Sequence, residues 1–172
     1  VIARITPEQL TNPTPCEKWD VQAIIDHLID NARWFAAAMG RPERDDQTPD
    51  SRDLEATYRA AAAEVQLAMQ ADGASEVLLD TRLGEMPAGV MYTIGMTDNL
   101  LHGWDLAVAT GQDATIDPDL IAATTAFVQP AVEAGMTSGA YAPALPVDPN
   151  ASAQERLIAL VGRQHMNPDG SG

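Results

Sequence analysis

Asp98 and His102 stand four residues apart in an otherwise apolar stretch, MTDNLLHGWDLAVATG (96–111), and Gly103-Trp104-Asp105 follows directly. On a helix, residues four apart lie one above the other, so this carboxylate and imidazole can hold one ion together. An earlier apolar stripe carries His27 at its edge, with Asn31 one turn later and Trp34 beyond. Two imidazoles and a carboxylate, His27, His102 and Asp98, suit a divalent transition metal: zinc first, with nickel, iron or manganese as alternatives. Three protein ligands leave a position for water or substrate, the catalytic rather than the structural arrangement. Asp105 can hold the second ring nitrogen of a ligand or order a water. Spacing alone leaves blander readings open: a histidine at a stripe edge can be a satisfied core residue, and Asp98 a solvated one.

The elements that must position these groups are legible as helices. Asp20 stands where an N-cap belongs, and apolar residues from Val21 to Met39 recur at helical spacing before Gly40, which predicts a helix over 21–39. A charged loop, RPERDDQTPD, leads to a second helix over about 52–71. SEVLLDTRLGEMPAG reads as a short extended or hairpin segment, and a third helix follows over 90–110, closed by Gly111. A fourth starts at Pro118 behind Asp117 and is expected to reach about 133. GMTSGAYAPALPVDPNA reads as a long loop over the bundle, and a last short helix covers 153–161. Gly95 and Gly103 are expected to let a neighbouring helix approach the site. Trp19 and Trp104 are expected in the core, Cys16 as a packing residue, and His165 exposed. The expected fold is all-α: an antiparallel four-helix bundle with a short hairpin and a C-terminal loop and helix packed over it. One domain over 1–163 is expected, with 164–172 as a flexible polar tail.

The 172 residues carry a formal net charge of −15 and scattered single arginines, which disfavours nucleic acid and anionic membrane surfaces as partners. Cys16 is the one cysteine, so no intramolecular disulfide can form, and neither a signal peptide nor a membrane span is legible. A cytoplasmic location is expected. The chain begins at Val1, and a trimmed or incomplete start is the expectation drawn from that.

Two blocks, TPCEKWDVQAIIDHLIDN (14–31) and TDNLLHGWDLAVATGQD (97–113), together with the closing ASAQERLIALVGR that ends at Arg163, resemble the DinB-like superfamily. Within it they resemble actinobacterial proteins related to the metal-binding N-terminal domain of mycothiol-dependent maleylpyruvate isomerase. The resemblance implies a four-helix bundle whose divalent metal is held by a histidine late in the first block's helix and an acid-x-x-x-His pair on a later one. Matched onto this sequence, those are His27, Asp98 and His102, with aspartate where the isomerase has glutamate. It further implies a transferase or isomerase that uses a mycothiol-type low-molecular-weight thiol on small electrophilic molecules. A metal-dependent hydrolase and a non-catalytic stress-response module are the alternatives. The chain is expected to lack the isomerase's further C-terminal domain and its long opening helix. A bundle face left uncovered by that short start is expected to favour a homodimer.

Overall fold

The first long helix forms because Asp20 caps it: its carboxylate accepts from the Ala23 N–H at 2.8 Å. In the computed structural model, which describes residues 1–17, 19–41, 53–82 and 84–164, this helix, α1, spans Val21–Ala38. Val21, Ile24, Ile25, Leu28, Ile29, Phe35 and Ala36 make its buried face. It ends at Gly40, whose φ of 77° lets the Arg41 N–H turn back onto the Ala36 carbonyl.

Helix α2 spans Leu54–Met69, capped by Asp53, and Arg41 joins the two helices by donating to Glu64 at 2.9 and 2.7 Å. The expected start of α2 at Arg52, the loop 42–52 and the tail from His165 lie outside the described residues. The expected hairpin is present as antiparallel strands β1 (Leu78–Thr81) and β2 (Gly84–Pro87), with Leu79 opposite Met86. Helix α3 follows without a loop over Ala88–Ala109.

Two expectations fail beyond this point. The helix expected over 118–133 is α4, Pro118–Val128, which stops at a 3-10 turn over Gln129–Ala131. Pro130 has no N–H for the Ala126 carbonyl, and its ring would crowd that carbonyl, so the α-helical ladder breaks there. A short α5, Val132–Ser138, takes up part of the segment expected as loop. Helix α6, Ala153–Leu160, opens with a capping box in which Ser152 and Glu155 exchange hydrogen bonds.

The described residues are thus mostly helical with one two-stranded sheet. Helix α3 is shared between two apolar clusters. Leu106 joins the α1 residues Val21 to Ile29, and Leu101 and Trp104 join Ile116, Ile121 and Val128 beside α6 residues Leu157 and Ile158. A side chain on α3 between those faces is therefore walled on both sides. None of the described helices is long and apolar enough to cross a membrane.

Candidate metal centre

The N-terminal loop shapes one wall of the site. Asn12 donates to the Ala109 carbonyl at 3.0 Å and Gln9 to the Thr110 carbonyl at 3.2 Å, which pins the segment to the end of α3. Thr14 donates to the Trp19 carbonyl at 2.7 Å and closes the loop just ahead of α1. Trp19, expected in the core, packs half-buried against the α1 cluster and also touches both site histidines. Its ring lies 4.3 Å from that of His27, edge-on, and is stacked at 5.3 Å on His102. The expectation for Trp104 agrees with the structure, since it is buried among the α3–α4–α6 residues.

Helices α1 and α3 then bring His27, Asp98 and His102 together, with one ligand atom from each within 4.8 Å of the others. His27 Nε2 lies 2.8 Å from Asp98 Oδ2, and His102 Nε2 lies 3.4 Å from Asp98 Oδ1. His102 is buried, whereas His27 and Asp98 keep 28% and 29% of their side-chain surface open, so the trio is partly reached by solvent. Asn31 points its amide into the same place, 2.9 Å from His27 Nε2 and 3.2 Å from Asp98 Oδ2.

The donor set fits a cation. The Asp105 carboxylate lies 2.9 Å from His102 Nδ1, so that nitrogen carries the proton, and in the neutral ring Nε2 presents a bare lone pair toward Asp98. In that tautomer a lone pair and a carboxylate oxygen face each other at 3.4 Å, two acceptors that either a proton or a metal ion between them would reconcile. His27 Nε2 is in a similar bind: as a donor it satisfies Asp98 but opposes the Asn31 amide, and as an acceptor it does the reverse. A positive ion among the three relieves both conflicts. Burial pushes the Asp98 carboxyl upward, but a hydrogen bond from His27, the positive charge that His102 and His27 carry when protonated, and the charge of Arg163 outweigh it and leave it below its ordinary value.

Arg163 joins the site from the C-terminal third, and Tyr141 packs against the α3–α4–α6 cluster. Arg163 Nε donates to both oxygens of Asp105, at 3.0 and 2.9 Å, and Asp105 is fully buried. Burial raises the Tyr141 hydroxyl pKa, the Asp98 charge raises it further and Arg163 opposes, so this phenol stays protonated near the trio. Cys16, expected as a packing residue, packs against the α1 cluster. Its sulfur also lies within 4.8 Å of a His102 nitrogen and an Asp105 oxygen.

The expected roles of Gly95 and Gly103 are corrected: a Cβ at either would meet nothing within 4 Å. The close approaches are elsewhere. A Cβ on Gly135 would run into the Tyr141 ring, and one on Gly162 would lie 2.6 Å from Ala142.

The sequence model of the mycothiol maleylpyruvate isomerase N-terminal domain matches residues 1–107, a span that contains His27, Asp98, His102 and Asp105. This chain belongs to that family. Uncharacterized protein Rv0738 and Uncharacterized protein MT0763, from two strains of Mycobacterium tuberculosis, are each 36% identical over 138 residues, covering 76% of this chain and 72% of theirs. No solved structure matches significantly. In this mycothiol maleylpyruvate isomerase N-terminal domain protein, Arg163 and Tyr141 lie outside the matched span, so the side chains around Asp105 and Asp98 extend past the family's recognised region.

Proposed function

We propose that this protein is a divalent-metal-dependent enzyme, with zinc the favoured ion, that transfers or isomerises small electrophilic molecules using a mycothiol-type thiol. We further propose that α1 to α4 represent the DinB-like four-helix bundle and that the protein works in the cytoplasm. The observation that carries the reading is the cluster of His27 Nε2, Asp98 and His102 Nε2, partly open to solvent, in a chain of this family.

When bound, the ion supplies the positive charge that lets a thiol lose its proton near neutral pH. The chain's own residues do the rest. His27, Asp98 and His102 hold the ion, and Asp105 keeps the His102 ring turned so that Nε2 faces it. Asn31, beside His27 and Asp98, offers an amide to an incoming polar group. Trp19 closes the inner side with an aromatic wall and limits water there.

The test uses zinc-reconstituted protein, mycothiol and the electrophilic fluorophore monochlorobimane. Protein-dependent conjugation that falls to background with a chelator and in His27→Ala supports the reading. A rate unaffected by the protein, or turnover of ester substrates without added thiol, would replace it with the binding-module or hydrolase alternative.

A further inference from the structure

Arg163 sits where it does because of how α6 ends. Gly162 takes a φ of 73°, its N–H returns to the Ala159 carbonyl, and the Arg163 N–H returns to the Ile158 carbonyl at 3.1 Å. This closure turns the chain inward rather than away from the helix. The absence of a Cβ at Gly162 also lets Ala142 cross directly over the turn. The arginine side chain, 6% exposed, then reaches Asp105, at 0%.

A fully buried carboxylate is tolerated only when its charge is paired and its lone pairs are used. Arg163 Nε supplies the paired charge and engages both oxygens, and His102 Nδ1 adds a further bond to Oδ2. The three groups form one line, guanidinium to carboxylate to imidazole, that runs from the end of α6 to the trio on α1 and α3.

We propose that Arg163 is a positioning residue of the site. It fixes the Asp105 carboxylate, which fixes the His102 tautomer and ring angle, so that Nε2 is presented bare toward Asp98 and His27. The link to metal binding rests on the function proposed above; the effect on the imidazole does not. Other candidates are weaker. The Cys16–His102–Asp105 group shares its carboxylate with Arg163, and the exposed apolar side chains Val77, Leu78 and Val90 have nothing beside them that indicates a partner.

The test compares wild type with Arg163→Met, Arg163→Gln, Arg163→Lys and, as a stability control on the same helix, Leu157→Ala, all at one fixed pH. Long-range proton–nitrogen NMR of the metal-free, histidine-labelled protein reads the tautomer of His102. Wild type is expected to show a protonated Nδ1 and a bare Nε2. That signature is expected to persist in Arg163→Lys and Leu157→Ala and to be lost in Arg163→Met and Arg163→Gln. Zinc affinity, read by competition with a chromogenic chelator, is expected to fall about 10- to 100-fold in the Met and Gln variants and to stay within about threefold in the other two. Wild-type tautomer and affinity in Arg163→Met and Arg163→Gln would overturn the proposal. So would an equal loss of both in Leu157→Ala. If wild type binds no zinc, the metal reading fails, and the tautomer comparison alone decides the role of Arg163.

Discussion

The Arg163–Asp105 pair makes a quantitative prediction about stability that can be examined with metal absent. Both side chains are buried, at 6% and 0% exposure, so neither charge has solvent to fall back on if the other is removed. Breaking a buried pair from one side costs about 3–5 kcal/mol, because an uncompensated charge stays behind. Removing both charges leaves only unmade hydrogen bonds, about 1–3 kcal/mol. Asp105→Asn and Arg163→Met are therefore each expected to be less stable than the double variant that carries both. For a chain of this length each kcal/mol moves the melting temperature about 2–4 °C, so each single change lowers it by about 6–20 °C. Urea denaturation in excess chelator, followed by far-ultraviolet circular dichroism, gives the four free energies of the cycle. A double variant whose loss equals the sum of the singles within about 0.5 kcal/mol would refute the reasoning, since independent sites add in that way.

Two further outcomes follow from the same coordinates. Burial raises the hydroxyl pKa of Tyr58, and burial followed by the Asp98 charge raises that of Tyr141, so phenolate absorbance should show both titrating above the ordinary value of about 10. The native state then holds protons that the unfolded chain has already lost, and stability should fall as pH rises above that value; ordinary titration of both would contradict the burial. Gly40 and Gly162 both have positive φ, but only Gly162 has a neighbour in the way, Ala142 at 2.6 Å. Substituting alanine should cost about 1–2 kcal/mol at Gly40 and clearly more at Gly162, and equal losses in thermal denaturation would rule out the clash.

The parts of the site that were legible in the sequence are those set by local periodicity. Asp98 and His102 share a face because they are four apart, and His27 sits at the edge of a stripe whose cap, Asp20, and stop, Gly40, are local signals. Pro130 was an equally local signal, and the α4 boundary was overrun only because the apolar pattern continues past it. Trp19 joins the α1 cluster as its type suggests, but its contact with both site histidines was not legible. The loop that carries it is tied by bonds that Asn12 makes to α3 and Thr14 makes within the loop, and composition carries no trace of them. Arg163 was beyond reach of any periodic argument, since 58 residues separate it from Asp105. The glycines show the same limit. Sequence reveals where a side chain is missing, but only the fold reveals that Tyr141 and Ala142 use the space at Gly135 and Gly162, and that nothing uses it at Gly95 and Gly103.

The central claim is that His27, Asp98 and His102 hold a metal ion, and metal content tests it most directly. Protein purified without chelator, wild type beside His102→Ala, is analysed by inductively coupled plasma mass spectrometry and again after incubation with zinc and desalting. The account predicts close to one zinc or other divalent transition metal per chain in the wild type and a large loss in the variant. Wild-type protein that stays metal-free after reconstitution, or a variant that retains the full amount, would contradict it.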